Sequence, residues 1–180
     1  MGALILASRS PQRRAILEQI GVSFEVRVTN AEELTAGPPE EVALENAYRK
    51  AAAVGAQPSA AVLGVDTIVA LGSRIYGKPA DRAAAGETLR ALAGRRHAVV
   101  SGLCLIEGAR VRTAAARTVV EFRELPEAAI EDYLDSGEWR ERAGGYAIQG
   151  RGALLVRAIE GDYLNVVGLP VAALVDLAPW

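Results

Sequence analysis

The 180-residue chain is 51% hydrophobic and 23% charged, with a formal net charge of −2, the balance of an ordinary globular protein with room for a sizeable core. It carries no excess positive charge for a nucleic-acid polymer or an anionic membrane surface. Its one cysteine, Cys104, excludes an intrachain disulfide and a thiolate zinc cluster. Its one histidine, His97, leaves oxygen as the main donor for any metal, which points to magnesium or manganese.

The apolar run at residues 3–7 reads as a buried strand. It is too short for a signal peptide or a membrane span, so a cytoplasmic location is the default expectation. Ser8, Arg9 and Ser10 make a tight polar turn, with Ser10 as N-cap and Pro11 as first residue of a helix that stops at Gly21. Strand, serine-rich turn and helix N-terminus form a ready anion site, because free N–H groups and the helix dipole point outward there. Arg13 and Arg14 fall in the first turn, where a cation opposes the dipole. A bound anion would explain them; solvated surface arginines are the plain alternative.

Residues 23–28 read as a second strand, followed by a loop with Glu32 and Glu33. Pro38 and Pro39 introduce a helix to about Val54, closed by Gly55, with Lys50 among its alanines. Two apolar runs then follow, 61–65 and 68–71, before a Gly72-Ser73 turn and a returning segment at 74–77. Glycine followed by any residue between extended runs is a hairpin signal, since glycine supplies the positive φ a II′ turn requires.

Asp66 lies in the middle of this buried strand. An ionised carboxylate in a core is costly unless it is paired or faces a polar cleft. It is either a satisfied structural group or a functional one, and adjoining Thr67 and nearby Lys78 favour function. Gly72 to Lys78 also spells G-x-x-x-x-G-K, the opening of a phosphate-cradling P-loop. That loop needs a Ser or Thr next and a strand-to-helix setting; here Pro79 follows and the first glycine is in a hairpin, so the motif is rejected.

Asp81 can cap a helix with an apolar stripe of Ala84, Leu89 and Leu92, ended by Gly94. Residues 97–106 and 110–122 read as two long strands joined across Gly108, with His97 packed or capping and Cys104 in the core. Pro126 starts a helix through Ile130, Tyr133 and Leu134 to Gly137. Residues 142–150 are punctuated by glycine, so their backbone bends or approaches something closely. A last hairpin is predicted from 154–159 and 163–167 around Glu160-Gly161-Asp162, and Pro170 begins the final helix. The chain reads as one domain, residues 1–180, with no repeat or long linker.

Leu6-Ala7-Ser8 with Ser10-Pro11, Gly64-Val65-Asp66-Thr67, Gly77-Lys78-Pro79, Ala143-Gly144 with Ile148-Gln149-Gly150, and Gly168-Leu169-Pro170 together resemble the Maf family of nucleoside triphosphate pyrophosphatases. The resemblance runs from Leu4 to Pro170, in the family's order. It implies an α/β fold with a mixed twisted sheet and flanking helices, like that of inosine triphosphate pyrophosphatases, with two lobes around a cleft and often a homodimer. It also implies that Asp66 is the proton acceptor.

The chain departs from the family in having Gln12 where the pyrimidine-directed group usually has arginine, Arg142 for a lysine, and Gly145 and Ala147 in its glycine-rich run. Positions matching Gln12, Thr67 and Gln149 separate a dTTP- and UTP-directed group from one acting on 7-methylguanosine triphosphate. Thr67 with Gln149 looks like the former.

Such hydrolysis needs water to attack the α-phosphorus while charge builds on pyrophosphate, so cations and a divalent metal should carry most of it. Arg13, Lys50 and Lys78 are the expected phosphate ligands, helped by the backbone after Ser8. Glu33 (or Glu32) and Asp66 can hold the metal. Asp66 is base or metal ligand, since both roles need an ionised carboxylate facing the cleft. A nucleotide-sensing regulator without turnover, and a protein-interaction scaffold, are the readings from other classes.

Overall fold

The computed structural model describes residues 3–55, 57 and 59–178. Two twelve-residue strands, β3 (Ala60–Leu71) and β5 (Arg96–Glu107), pair antiparallel along nearly their whole length and form the spine of a seven-stranded sheet. Both are buried almost without interruption, as strands covered on both faces must be. Strand β1 (Ala3–Leu6) lies parallel to β3 and to the edge strand β2 (Phe24–Val26). On the other side β6 (Arg110–Phe122) pairs with β5, and β7 (Val156–Glu160) pairs with the end of β6. The short β4 (Arg74–Tyr76) returns on β3 through the two-residue turn at Gly72 (φ 61°) and Ser73, as the hairpin signal requires.

Among the described residues, six helices flank the sheet: α1 (Pro11–Gln19), α2 (Pro39–Ala52), α3 (Arg82–Leu92), α4 (Glu127–Asp135), α5 (Tyr163–Val167) and α6 (Val171–Leu177). Ser10 caps α1 through Arg13 N, and Asp81 caps α3 through Ala84 N at 2.8 Å. Among the described residues, no helix is long and apolar enough to cross a membrane.

One expected strand is a helix. The segment 163–167 forms α5, because the side chain of Asp162 accepts from Leu164 N at 2.7 Å and starts a turn there. The preceding strand begins at Val156, after a 3-10 turn at Arg151–Leu154, and β2 is three residues long where six were expected.

The apolar core divides along the spine. Leu63, Val65, Leu103 and Leu105 pack with β1, α1 and α6 at one end; Val69, Val99, Val120 and Phe122 pack with α3 and α4 at the other. These are the two lobes, and Asp66, Thr67 and Ser101 lie at their junction. Across one face of the spine runs α2, closer than side chains would allow. A Cβ on Gly64 would lie 2.0 Å from the Ala47 carbonyl oxygen, and one on Gly102 would lie 2.3 Å from that of Ala43. The two glycines let the helix backbone settle directly onto the sheet.

His97 is core, as expected: its Nε2 is 2.9 Å from the Tyr146 hydroxyl and its ring meets Phe122 edge-on. Burial lowers its pKa from 6.5 to about 4, against a smaller upward pull from the Arg95 backbone. Between these values the unfolded chain takes up a proton that the folded chain refuses. This contribution to stability is therefore complete above pH 6.5 and is lost as the pH falls toward 4. Urea unfolding at pH 7 and pH 5 should show wild type losing about 2 kcal/mol more than His97→Gln. Equal losses would place the ring's titration elsewhere.

Candidate active site

The site lies at a gap in the sheet. Strand β1 accompanies β3 as far as Leu63, and β4 joins the same edge only at Val69. Between them, residues 64–68 have no strand partner on that side. The chain leaving β1 brings Ser8 to the gap, and the chain leaving β4 brings Gly77 and Lys78 to it from the other end. The result is a cleft of about 970 Å³, within the usual range for a small-molecule site.

Asp66 is 5% exposed in this cleft. Its Oδ1 accepts from Lys50 Nζ at 2.6 Å and its Oδ2 from Asn46 Nδ2 at 3.0 Å. Lys50 and Asn46 stand four residues apart on α2, so one helix face supplies both. Their reach depends on the close seat that Gly64 and Gly102 give the helix. Burial pushes the Asp66 pKa up, but the Lys50 charge and hydrogen bond, the Asn46 amide and the Arg13 charge outweigh it and hold the carboxyl below its ordinary value. Lys50 also touches Glu33 Oε1 at 3.0 Å, so two carboxylates converge on one ammonium.

Arg13 is held on the opposite wall. Its Nε donates to Gly168 O at 2.9 Å, one Nη to Ser8 Oγ at 2.9 Å and the other to Thr67 Oγ1 at 3.0 Å. Thr67 is fixed in turn by Ser101 Oγ at 2.8 Å. Three of the five guanidinium N–H groups are used, which leaves two for a ligand. Burial lowers the Arg13 pKa, opposed by Asp66 and Glu33, but an arginine retains its charge across the physiological range.

Ser8, Gln12, Arg13, Glu33, Lys50, Asp66, Thr67, Lys78 and Gln149, the residues singled out from the sequence, all line this cleft. They differ in how they are held. Lys78 is 61% exposed at the rim and pairs with Glu141 at 3.0 Å. Gln12 accepts from Ser10 Oγ at 3.1 Å, and Gln149 is exposed. Arg14 is exposed and does not line the cleft. The sequence contains two lysines, Lys50 and Lys78, and both are here; every other basic side chain except His97 is arginine. Asn46 and Ser101 were missed. The i, i+4 spacing of Asn46 and Lys50 was available as a signal, whereas nothing marked a serine inside an apolar strand.

Residues 3–178 match the family described as Maf-like protein. The chain belongs to that family. A dTTP/UTP pyrophosphatase of Gloeobacter violaceus is 48% identical to this Maf-like chain over 177 residues, covering 97% of this chain and 93% of its own length. A dTTP/UTP pyrophosphatase of Pyrococcus furiosus is 43% identical over 182 residues, with 98% and 94% covered. That of Deinococcus radiodurans is 46% identical over 176 residues, with 97% and 90% covered. The Maf-like match and these relatives span both lobes and the gap between them.

Proposed function

We propose that the chain hydrolyses nucleoside triphosphates to the monophosphate and pyrophosphate, with dTTP and UTP preferred and a divalent cation assisting. The observation that carries this reading is a buried carboxylate, Asp66, held by Lys50 in a cleft of nucleotide size that also contains the fixed guanidinium of Arg13, in a chain whose relatives along its whole length are named dTTP/UTP pyrophosphatases.

Arg13 directs its two free N–H groups at the triphosphate, pre-positioned by Ser8, Thr67 and Gly168 so that little reorganisation remains for the reaction. Lys78 exchanges Glu141 for a phosphate oxygen. A triphosphate also offers Lys50 a new anionic partner. As the ammonium turns toward it, the contribution that most depresses the Asp66 pKa weakens, and the carboxylate becomes a better acceptor for the proton of the attacking water.

The residues present fit a hard divalent ion. Among the described residues there is no cluster of three His, Cys, Asp or Glu groups, yet Glu33 and Asp66 already converge on one cation. Magnesium characteristically takes one or two carboxylates and completes its shell with phosphates and water. Bound by Glu33 and Asp66, magnesium or manganese would neutralise charge on the phosphates.

Gln149 supports the choice of base. Its amide offers one donor and one acceptor side, which suits the O4 and N3–H edge of uracil or thymine, whereas guanine's donor-rich edge calls for a carboxylate. Gln12 lacks the charge of the arginine common in the pyrimidine-directed group, which weakens selectivity without reversing it.

A pyrophosphate-release assay with dTTP, UTP, 5-methyl-UTP and 7-methyl-GTP tests the proposal. The pyrimidines should lead in kcat/KM by about tenfold or more, the loss expected for one polar pairing. Chelation should abolish activity, and magnesium or manganese should restore it. Ranking of 7-methyl-GTP first would overturn the base assignment alone. Saturable binding with no release would favour a nucleotide-sensing regulator.

A further inference from the structure

Asn46 is 1% exposed, and none of the steps above uses it. It stands near the middle of α2, where asparagine is a poor helix former and an apolar side chain would fill the same space. Its carboxamide is fully engaged. Leu34 N donates to Oδ1 at 2.7 Å, while Nδ2 donates to Leu34 O at 3.0 Å and to Asp66 Oδ2 at 3.0 Å. This set fixes the amide's orientation. Turned over, its NH2 would face an N–H, and its oxygen would face a carbonyl and a carboxylate.

We propose that Asn46 is a positioning residue for the reaction: with one amide it clamps the Leu34 peptide and the Asp66 oxygen that Lys50 does not hold. The proposal rests on the hydrolytic reading above. A carboxylate rotates easily about its last torsion, so Lys50 on one oxygen alone would leave Asp66 free to pivot. A second donor on the other oxygen removes that freedom. The same amide pins the loop at residues 30–37 through Leu34, and Glu33 is the adjacent residue. The separation between Glu33, Lys50 and Asp66 is therefore set from α2 instead of by the loop itself. Small displacements at a reacting centre cost rate steeply, and residues that orient such carboxylates are typically worth 10–100-fold.

The test uses Asn46→Leu and Asn46→Ser in the full chain, with kcat and KM for dTTP measured separately at saturating magnesium. Expected is a fall in kcat of about 10- to 100-fold with KM within about threefold of wild type. A folded variant with kcat within threefold of wild type overturns the role, as does a KM that rises as far as kcat falls. A third readout needs no variant. The Leu34 amide should exchange slowly with solvent although it lies in an exposed loop, because Asn46 accepts its proton; exchange at the unprotected rate overturns the clamp. A wild-type chain that releases no pyrophosphate defeats the hydrolytic reading and this role together. An active wild type with unaffected variants defeats this role alone.

Discussion

Asp66→Asn should leave a folded protein that binds nucleotide and releases almost no pyrophosphate. The substitution keeps the shape of the side chain and removes the buried carboxylate proposed to accept the proton of the attacking water. Loss of a general base costs about 10²–10⁴-fold in rate. The cost to stability is smaller. Lys50 retains Glu33 at 3.0 Å, so its ammonium is not left without a carboxylate. Whichever way the new amide turns, its NH2 faces either Lys50 or Asn46, and one unmatched buried donor costs about 1–3 kcal/mol. Steady-state rates and a thermal melt separate the two effects. A rate within threefold of wild type would remove Asp66 from the mechanism.

Gly64→Ala should damage the fold and the site at once. A Cβ there would lie 2.0 Å from the Ala47 carbonyl oxygen and 2.9 Å from Ala51 N. Both atoms are helix backbone, so no side-chain rotation can relieve the clash, and α2 must lift from the sheet. Overpacking of a tight core costs about 1–3 kcal/mol and more where backbone has to move. In a chain of this length that corresponds to a melting temperature lower by about 6–12 °C for a 3 kcal/mol loss. The displacement also carries Asn46 and Lys50 away from Asp66, so kcat should fall in the protein that remains folded. Unchanged stability would mean that α2 is not seated as closely as described.

Much of this arrangement was legible in the sequence, for reasons that differ residue by residue. Ser10 before Pro11 and Asp81 before an apolar stripe are local signals, and each caps its helix in the fold. Gly72-Ser73 set the β3–β4 register because a two-residue turn admits few alternatives. Asp66 stood out because a charge in a buried strand demands a partner. The segment 163–167 misled because five residues, four of them apolar, are too few to show a period that separates a strand from one turn of helix; the decisive group was the cap at Asp162, outside the run. The partners of Asp66 and Arg13 were not legible as partners. They come together through the seat of α2 at Gly64 and Gly102 and the interruption of pairing along β3, both properties of tertiary packing.

The distribution of the two lysines has a consequence for reagents. Apart from the chain's own α-amino group, every primary amine of this protein lines the cleft, so acylating or reductive-alkylating chemistry acts as a local probe without mutagenesis. The two amines should also respond at different rates. Lys78 stands at the rim, 61% exposed with a single carboxylate partner, while Lys50 is 14% exposed between Glu33 and Asp66. Arginine keeps its charge and stays inert to such reagents, so a chain that uses arginine almost everywhere else confines its amine chemistry to the place where nucleotide is expected to bind.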